Sequence, residues 1–409
     1  MSEDCEAYII VNPRSGGGRA EGLTEPLLAA LKKHYGSTTG SIVQLSFEEL
    51  SRCESAEPPS QWKCAMVLTE KPKDGVGIAE CIVRLRRLRK DTNSVVIVVG
   101  GDGTLGEVIH GLCRTTLAVY QDDVTPQPNV LNQRLPRILY LPSGTGADFA
   151  RLGFCCTSIE DVIQALQSPR IVRIDIGCAT FRRTDNQRFF INECSVGIST
   201  DVILRTERYK KSCLRYLGGT IIFFISAIIA LLQLTPMPMR IRRLPSDSSL
   251  ASSDAVRITP PSTGKDGRRK RLSPQEVRRD VEHVGQWVDF PSSTIAFCNG
   301  KYFGGGMKIA PHGDPTDQSL AVTAWYCTFF PFVMRLISVY NGNHVKWSST
   351  TTLEGCRFEV DSAEGYTQDI FCETDGEIAE QLPAIVECKA CISMCLPPKK
   401  SNRNGIVKV

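Results

Sequence analysis

Histidine is scarce in this chain, five in 409 residues, and none has an obvious catalytic partner in sequence. A G-x-S-x-G elbow is absent, which removes the usual exposed serine nucleophile of a strand-to-helix turn. No glycine–lysine pair precedes Ser or Thr, so a Walker A loop is excluded. An excess of one charge is missing too. The net charge of +4 is too small to mark a nucleic-acid binder. The start, MSEDCEAY, is acidic and runs straight into a strand, so no signal peptide is expected. The 17 scattered cysteines then read as reduced thiols of a cytoplasmic protein. Cys388, Cys391 and Cys395 lack a fourth ligand for zinc and sit on a strand-like alternation. The longest apolar stretch, Leu214 to Leu234, approaches a membrane span in length. Gly218, Gly219, Thr220, Ser226 and Gln233 interrupt it and Pro236 follows. A buried or membrane-touching helix is expected there, not a span.

What the chain does have is glycine, placed after strands. Val95 to Val99 is a run of β-branched residues, read as a buried strand of a parallel sheet. Gly100-Gly101-Asp102-Gly103-Thr104 follows, then Leu105, Val108, Ile109 and Leu112 at helical spacing. Such a turn leaves backbone N–H groups bare at a helix N-terminus, a natural anion site. A plain βα turn without a ligand is the alternative. Gly101-x-Gly103-x-x-Gly106 also fits a dinucleotide fingerprint, with Asp122 and Asp123 downstream. Asp102, however, sets a negative charge where a phosphate would sit, which favours phosphate chemistry linked to Mg²⁺.

Two further strands end the same way. Tyr8 to Val11 leads into Asn12-Pro13-Arg14-Ser15-Gly16-Gly17-Gly18-Arg19, either a phosphate cradle or a flexible loop. Arg137 to Leu141 leads into Pro142-Ser143-Gly144-Thr145-Gly146-Ala147-Asp148. Ile42 to Leu45 and Cys64 to Leu68 are expected strands, with Thr69 at the edge where ligands collect. Leu23 to Leu31 and Ile78 to Leu88 are expected helices. The resulting expectation is an α/β, doubly wound domain over residues 1–172. From Arg173 the rhythm changes to short strands: Arg173–Ile176, Arg188–Asn192, Thr294–Cys298, Leu320–Tyr326, Arg357–Val360 and Ala384–Ala390. A mainly antiparallel β-sandwich is expected over residues 173–396. Residues 245–280 read as a disordered insertion and 397–409 as a disordered tail. Between Arg240 and Asp280 there are 11 Lys and Arg against 5 Asp and Glu. The knot Arg268 to Arg271 suits anionic lipid or a nuclear signal, or is simply a solvated tether.

The ordered set of motifs resembles the diacylglycerol kinase catalytic domain family, which includes sphingosine and ceramide kinases. Asn12 to Gly16 matches its first motif and Gly100 to Thr104, with Glu107, its GGDGT. Pro142 to Asp148 matches its P-x-GTxND, with Ala147 for the usual asparagine. Asn192, Ser195, Gly197 and Asp201 match N-x-x-S-x-G and its extension. Asn299-Gly300 and Gly304 to Met307 match the glycine-rich strand region. Asp317 falls near the metal-linked aspartate, although the usual DG is Asp317-Gln318. Asp375-Gly376-Glu377 matches DGE.

The resemblance implies an ATP- and Mg²⁺-dependent kinase acting on a hydroxyl of diacylglycerol or of a sphingoid or ceramide lipid. Asn12, Pro13, Arg14, Ser15, Gly16, Thr69, Gly100, Gly101, Asp102, Gly103, Thr104, Glu107 and Thr145 would surround the nucleotide phosphates. Asp102 and Asp317 would carry the metal. Glu377 would be the base, with Asp375 as its rival and Asp102 as a third catalytic carboxylate. Asp201 and Asp175 would meet the lipid head group. The partners implied are the lipid and a peripheral membrane surface, with no nucleic acid. An NAD kinase-like enzyme of a soluble acceptor and a catalytically silent lipid-binding protein are the rival readings.

Overall fold

The computed structural model describes residues 7–36, 42–53, 63–91, 93–120, 130–144, 146–212, 219–233, 235–245, 261–263, 269–271, 284–289, 291–334 and 336–399. These fall into two compact units. The first holds the described residues up to Ile174 and those from Cys391 onward; the second is Asp175–Ala390.

The first unit is a parallel α/β sheet. Its strands are β1 (Ala7–Val11), β2 (Ile42–Leu45), β3 (Cys64–Leu68), β4 (Val95–Gly100) and β5 (Arg137–Pro142). They lie in the order β2-β3-β1-β4-β5, all neighbours parallel. β1 and β4 are buried along their whole length, as two-face burial under helices requires. The helices are α1 (Arg19–Tyr35), α2 (Phe47–Arg52), α3 (Asp74–Leu88), α4 (Asp102–Tyr120), α5 (Val130–Arg134) and α6 (Ile159–Gln167). One cluster under the sheet joins Ile9, Val11, Ile97 and Val99 to Leu27 and Leu31 of α1 and Val162 of α6. The connection leaving β1 runs toward β2 on one side, and the one leaving β4 runs to β5 on the other. The C-terminal ends of β1 and β4 therefore form a topological switch point, where open α/β sheets hold ligands.

The second unit contains two antiparallel layers. One includes β6 (Arg170–Phe181, most of it in this unit), β7 (Gln187–Phe190), β9 (Met239–Arg243) and β16 (Arg357–Ser362). The other is a six-stranded sheet. Its members are β8 (Glu193–Gly197), β13 (Thr294–Cys298), β14 (Leu320–Trp325), β15 (Thr350–Gly355), β17 (Phe371–Thr374) and β18 (Glu377–Gln381), in the order β15-β14-β13-β8-β17-β18. Alternate residues of both layers, Ile295 and Phe297, Leu320 and Val322, Phe358 and Val360, meet in one core. This is the sandwich that the short alternating strands lead one to expect. The last strand, β19 (Ala384–Leu396), contributes Ala384, Val386 and Cys388 to that core. Its later residue Cys395 belongs to the core of the first unit.

The second unit also holds helices that the strand rhythm hides. α7 (Ile198–Lys210) follows β8 directly, and α8 is Gly219–Leu232. Of the apolar stretch, Gly219–Leu232 is a 14-residue helix, while residues 214–218 and 234 lie outside the described residues. Among the described residues no helix is long and apolar enough to cross a membrane. Two short helices, α9 (Phe329–Met334) and α10 (Leu336–Tyr340), follow β14. Of residues 245–280, Pro245 and a small antiparallel pair, β10 (Pro261–Thr263) with β11 (Arg269–Arg271), are described. The rest of the expected insertion, Arg268 of the basic knot and the tail from residue 400 lie outside the described residues. A two-residue strand, β12 (Val288–Asp289), pairs with β9. The described cysteines are free thiols, and no cluster of three metal-ligating side chains occurs among the described residues.

Candidate functional site

Three strand ends of the first unit are tied backbone to backbone. The Asn12 N–H donates to the Val99 carbonyl at 2.9 Å, and the Ser143 N–H to that of Gly100 at 2.8 Å. The Thr69 N–H donates to Val11 at 2.9 Å, bringing β3 to the same edge. Asn12 Nδ2 reaches Thr104 Oγ1 at 2.9 Å, so the first glycine turn is bonded to the start of α4. The approach is so close that side chains do not fit. A Cβ on Gly16 would lie 1.9 Å from the Ser143 carbonyl oxygen, and one on Gly144 would lie 2.7 Å from the Gly101 Cα. Arg19 bridges the outer side of the turns, donating to the carbonyls of Gly16 and Gly144. Beside them a crevice of about 590 Å³ is lined by Pro13, Arg14, Gln44, Leu68, Thr69 and Glu70, a size that suits a small ligand.

Asp102 is held inside this arrangement. One oxygen accepts from the Tyr140 hydroxyl at 3.1 Å, the other from the Asp148 N–H at 2.5 Å. Desolvation raises its carboxyl above the ordinary range against the pull of these donors. Asp102 thereby fastens the third glycine turn to the second. Glu107 works in a comparable way. Its carboxylate accepts from the N–H groups of Lys73 and Gly75, each at 3.1 Å, anchoring the start of α3. Asn12, Pro13, Arg14, Ser15, Gly16, Gly100, Gly101, Gly103 and Thr104 lie with Asp102 at this edge. Thr145 lies outside the described residues.

In the second unit, Asp375-Gly376 is the turn of a tight hairpin, with Thr374 of β17 paired to Glu377 of β18. Both turn residues have positive φ, 48° and 85°, which Asp and Gly tolerate. The Asp375 carboxylate accepts from the N–H groups of Ile191, Asn192 and Glu193 at 2.9, 2.9 and 3.1 Å. Glu377 projects from the first residue of β18 and pairs with Arg188 of β7 at 3.1 Å, both partly exposed. Asp375 is therefore the clamp of the turn and Glu377 its accessible carboxylate.

Asp201 pairs with Arg205 one turn along α7 at 2.9 Å. Asp175 is buried and braces the loop at Gln318, whose N–H it accepts at 2.6 Å. Its own carbonyl accepts from Asn299 Nδ2. Asp317 is exposed and takes the Ser319 N–H at 2.9 Å. Desolvation, with Asp314 and Glu354 near, raises it to about 6.

Sequence reasoning misses the support beneath the hairpin. Glu193 and Glu373 are buried side by side, and Glu373 accepts from the Ser195 hydroxyl and from the Gly376 N–H at 2.9 Å. Burial, then the neighbouring Glu373 carboxyl, pushes Glu193 well up, and burial raises Glu373. Burial also raises Asp375 to about 7. A second feature concerns the two departures from the family motifs. Ala147 and Gln318 both adopt left-handed backbone, φ 50° and 63°. Asn and Gly, the family residues at those positions, are the types that enter this region most easily.

These observations define a class: a parallel α/β unit with glycine turns at its switch point, followed by an antiparallel sandwich. Residues 6–179 match the family model of the diacylglycerol kinase catalytic domain. Residues 195–395 match that of the YegS C-terminal NAD kinase beta sandwich-like domain. Between them the two models cover most of the chain, the first of them that of the diacylglycerol kinase catalytic domain. It is 27% identical over 162 residues to a diacylglycerol kinase of Staphylococcus carnosus strain TM300, covering 40% of this chain and 44% of that one. A diacylglycerol kinase of Staphylococcus haemolyticus strain JCSC1435 is 28% identical over 173 residues, 42% of each chain. The matched stretch thus spans less than half the length of these curated relatives. A crystal structure from Bacillus anthracis str. Sterne superposes with a TM-score of 0.57 at 15% identity, over 96% of both chains. A second, named a diacylglycerol kinase from the same organism, gives 0.54 at 16% over 95% of this chain and 96% of its own. At such identities they show the shared fold.

Two outcomes test this geometry. Gly17 has φ +70° and open space around a Cβ, whereas Gly16 has φ +64° and a backbone collision. Gly17→Ala should cost about 1–2 kcal/mol and Gly16→Ala clearly more, read by urea unfolding; equal costs would contradict the close approach. For the buried carboxyls, folded pKa values lie above unfolded ones, so the stability they leave at low pH is lost as pH rises from about 4 through about 7. Glu193→Gln keeps a donor toward Glu373 but does not ionise. Its melting temperature should fall less than that of the wild type between pH 5 and 8, as followed by circular dichroism at matched buffers. Parallel curves would speak against a shared proton.

Proposed function

We propose that this chain is a lipid kinase that moves the terminal phosphoryl group of ATP to a hydroxyl of diacylglycerol or of a sphingoid or ceramide lipid. The observation that carries the reading is the convergence of three glycine turns on one edge of the first unit, beside a crevice lined by Arg14 and Thr69. The N–H groups of the Gly16 turn and of Asp102 to Thr104 at the start of α4 are suited to polyphosphate, with Arg14 adding charge, whereas those of Asn12, Arg14 and Ser15 are already engaged. Phosphoryl transfer asks the protein mainly for positioning and charge stabilisation.

Mg²⁺ would neutralise the phosphates when bound. The donor set fits an ion that arrives with the nucleotide, since such ions keep waters and take only one or two carboxylates. Asp102 has both oxygens engaged by protein donors, so the exposed Asp317 is the more available carboxylate. Glu377 takes the proton of the acceptor hydroxyl. Arg188 orients its carboxylate, and Asp375 fixes the turn from which it projects. Asp201, on the partly exposed face of α7, is suited to the head group. The lipid acceptor makes a peripheral, membrane-visiting enzyme the fitting setting, with α8 as its apolar element.

Radiolabelled ATP offered with diacylglycerol, sphingosine, ceramide and NAD in parallel tests this. Label is expected in a lipid. Glu377→Gln should lower kcat by about 10²–10⁴-fold with nucleotide affinity retained. Label in NAD alone would turn the reading to a soluble acceptor. No transfer by a folded protein would turn it to a silent lipid-binding one.

A further inference from the structure

The second unit carries an apolar face that nothing in it covers among the described residues. Phe330, Met334 and Ile337 are 71%, 70% and 77% exposed, joined by Tyr326, Val333, Leu336 and Tyr340. All lie within fifteen residues, on or beside two helices of 6 and 5 residues. The opposite faces are fixed. Phe332 and Val339 are buried with Trp325, Ile309 and Ala310. His344 packs edge-on against Trp325 at 5.5 Å and meets the Ile309 carbonyl at 2.9 Å. The platform is thus anchored from below while large side chains stand in water above. Soluble monomers seldom expose such clusters without a use.

A second apolar element rests on the same core. Leu231 of α8 packs against the cluster that holds Phe332 and Trp325. α8 in turn exposes Ile221, Ile228 and Leu232. The surroundings identify the partner. From Ser319 to Leu353 there is no Asp or Glu, while Arg335 and Lys346 are present. Lys346 is exposed. A protein groove would ordinarily present a mixed polar rim. Apolar side chains without carboxylates, with tyrosines at 326 and 340, fit the water–lipid boundary of an anionic bilayer.

We propose that α9 and α10, together with the outer face of α8, dock this chain on an anionic membrane surface. The inference draws its reason for meeting a bilayer from the lipid-kinase reading, but its test does not require catalysis. The intact chain is sedimented without ATP on vesicles of phosphatidylcholine, with and without phosphatidylserine. The double variant Phe330→Glu with Ile337→Glu is compared, its melting temperature serving as a check on folding, with Leu88→Glu in the first unit as an exposed control. Wild type and control should bind, better with phosphatidylserine, and the double variant should bind at least about tenfold less at an unchanged melting temperature. If the double variant unfolds, Met334→Ser with Ile337→Ser reads the same face. Equal partition of folded variant and wild type would overturn the proposal, as would failure of the wild type to bind. So would a lipid-free wild-type dimer that the variant splits, since the face would then serve self-association. Retained vesicle binding without transfer to any lipid would sink the kinase reading alone.

Discussion

The contact on which the first unit depends is backbone against backbone, where Gly16 meets Ser143 and Gly101 meets Gly144. At the switch point the strand ends of β1, β4 and β5 come closer than any Cβ permits. Glycine there is a packing requirement before it is a ligand requirement. Once the turns lie this close, their N–H groups share one small region, and the Asp102 carboxylate fits between the second and third turns. Tyr140 and Asp148 hold it there at some desolvation cost. Turns tied together this way need no ligand to fix them, which would lower the ordering cost of binding an anion.

The second unit uses a different device. A two-residue hairpin is a weak platform for a carboxylate that has to stay in place, because tight turns move easily. Here the turn is bonded from three sides: by Asp375 to the N–H groups before β8, by Glu373 to the Gly376 N–H, and by Arg188 to Glu377. The buried carboxyl pair of Glu193 and Glu373 is destabilising in itself. Ser195 and the Gly376 N–H satisfy the Glu373 oxygens, while Oε2 of Glu193 is buried without a hydrogen-bond partner among the described residues. The tolerance of such a pair suggests that a fixed hairpin matters more to this fold than the stability it forgoes.

Much of this was legible in the residues, and the reason differs by element. Val95 to Val99 and the glycines after it announce a buried strand and a tight turn, because burial and positive φ each restrict residue type. The sandwich followed from period-two alternation. α7 was not legible: its mixed residues carry little helical periodicity, and the turn signal of Gly197 reads equally as a strand end. Tyr140 hid inside an apolar strand run, where its hydroxyl gives no sign of a partner. Glu193 and Glu373 stand 180 positions apart, and only the pairing of β8 with β17 brings them together. Ala147 and Gln318 looked like losses of function groups. Both adopt left-handed backbone, which Ala and Gln enter at modest strain.

The final strand has a consequence for how the molecule is made. Cys391 donates its N–H to Asn132 at 2.6 Å, Met394 aligns with Ile138, and Cys395 completes the core of the first unit. That core therefore awaits residues that are synthesised after all the other strands of the sandwich. Such distant pairings slow assembly and leave the β5 flank unfinished on the ribosome. Chaperones would find their clearest foothold on that bare flank during translation.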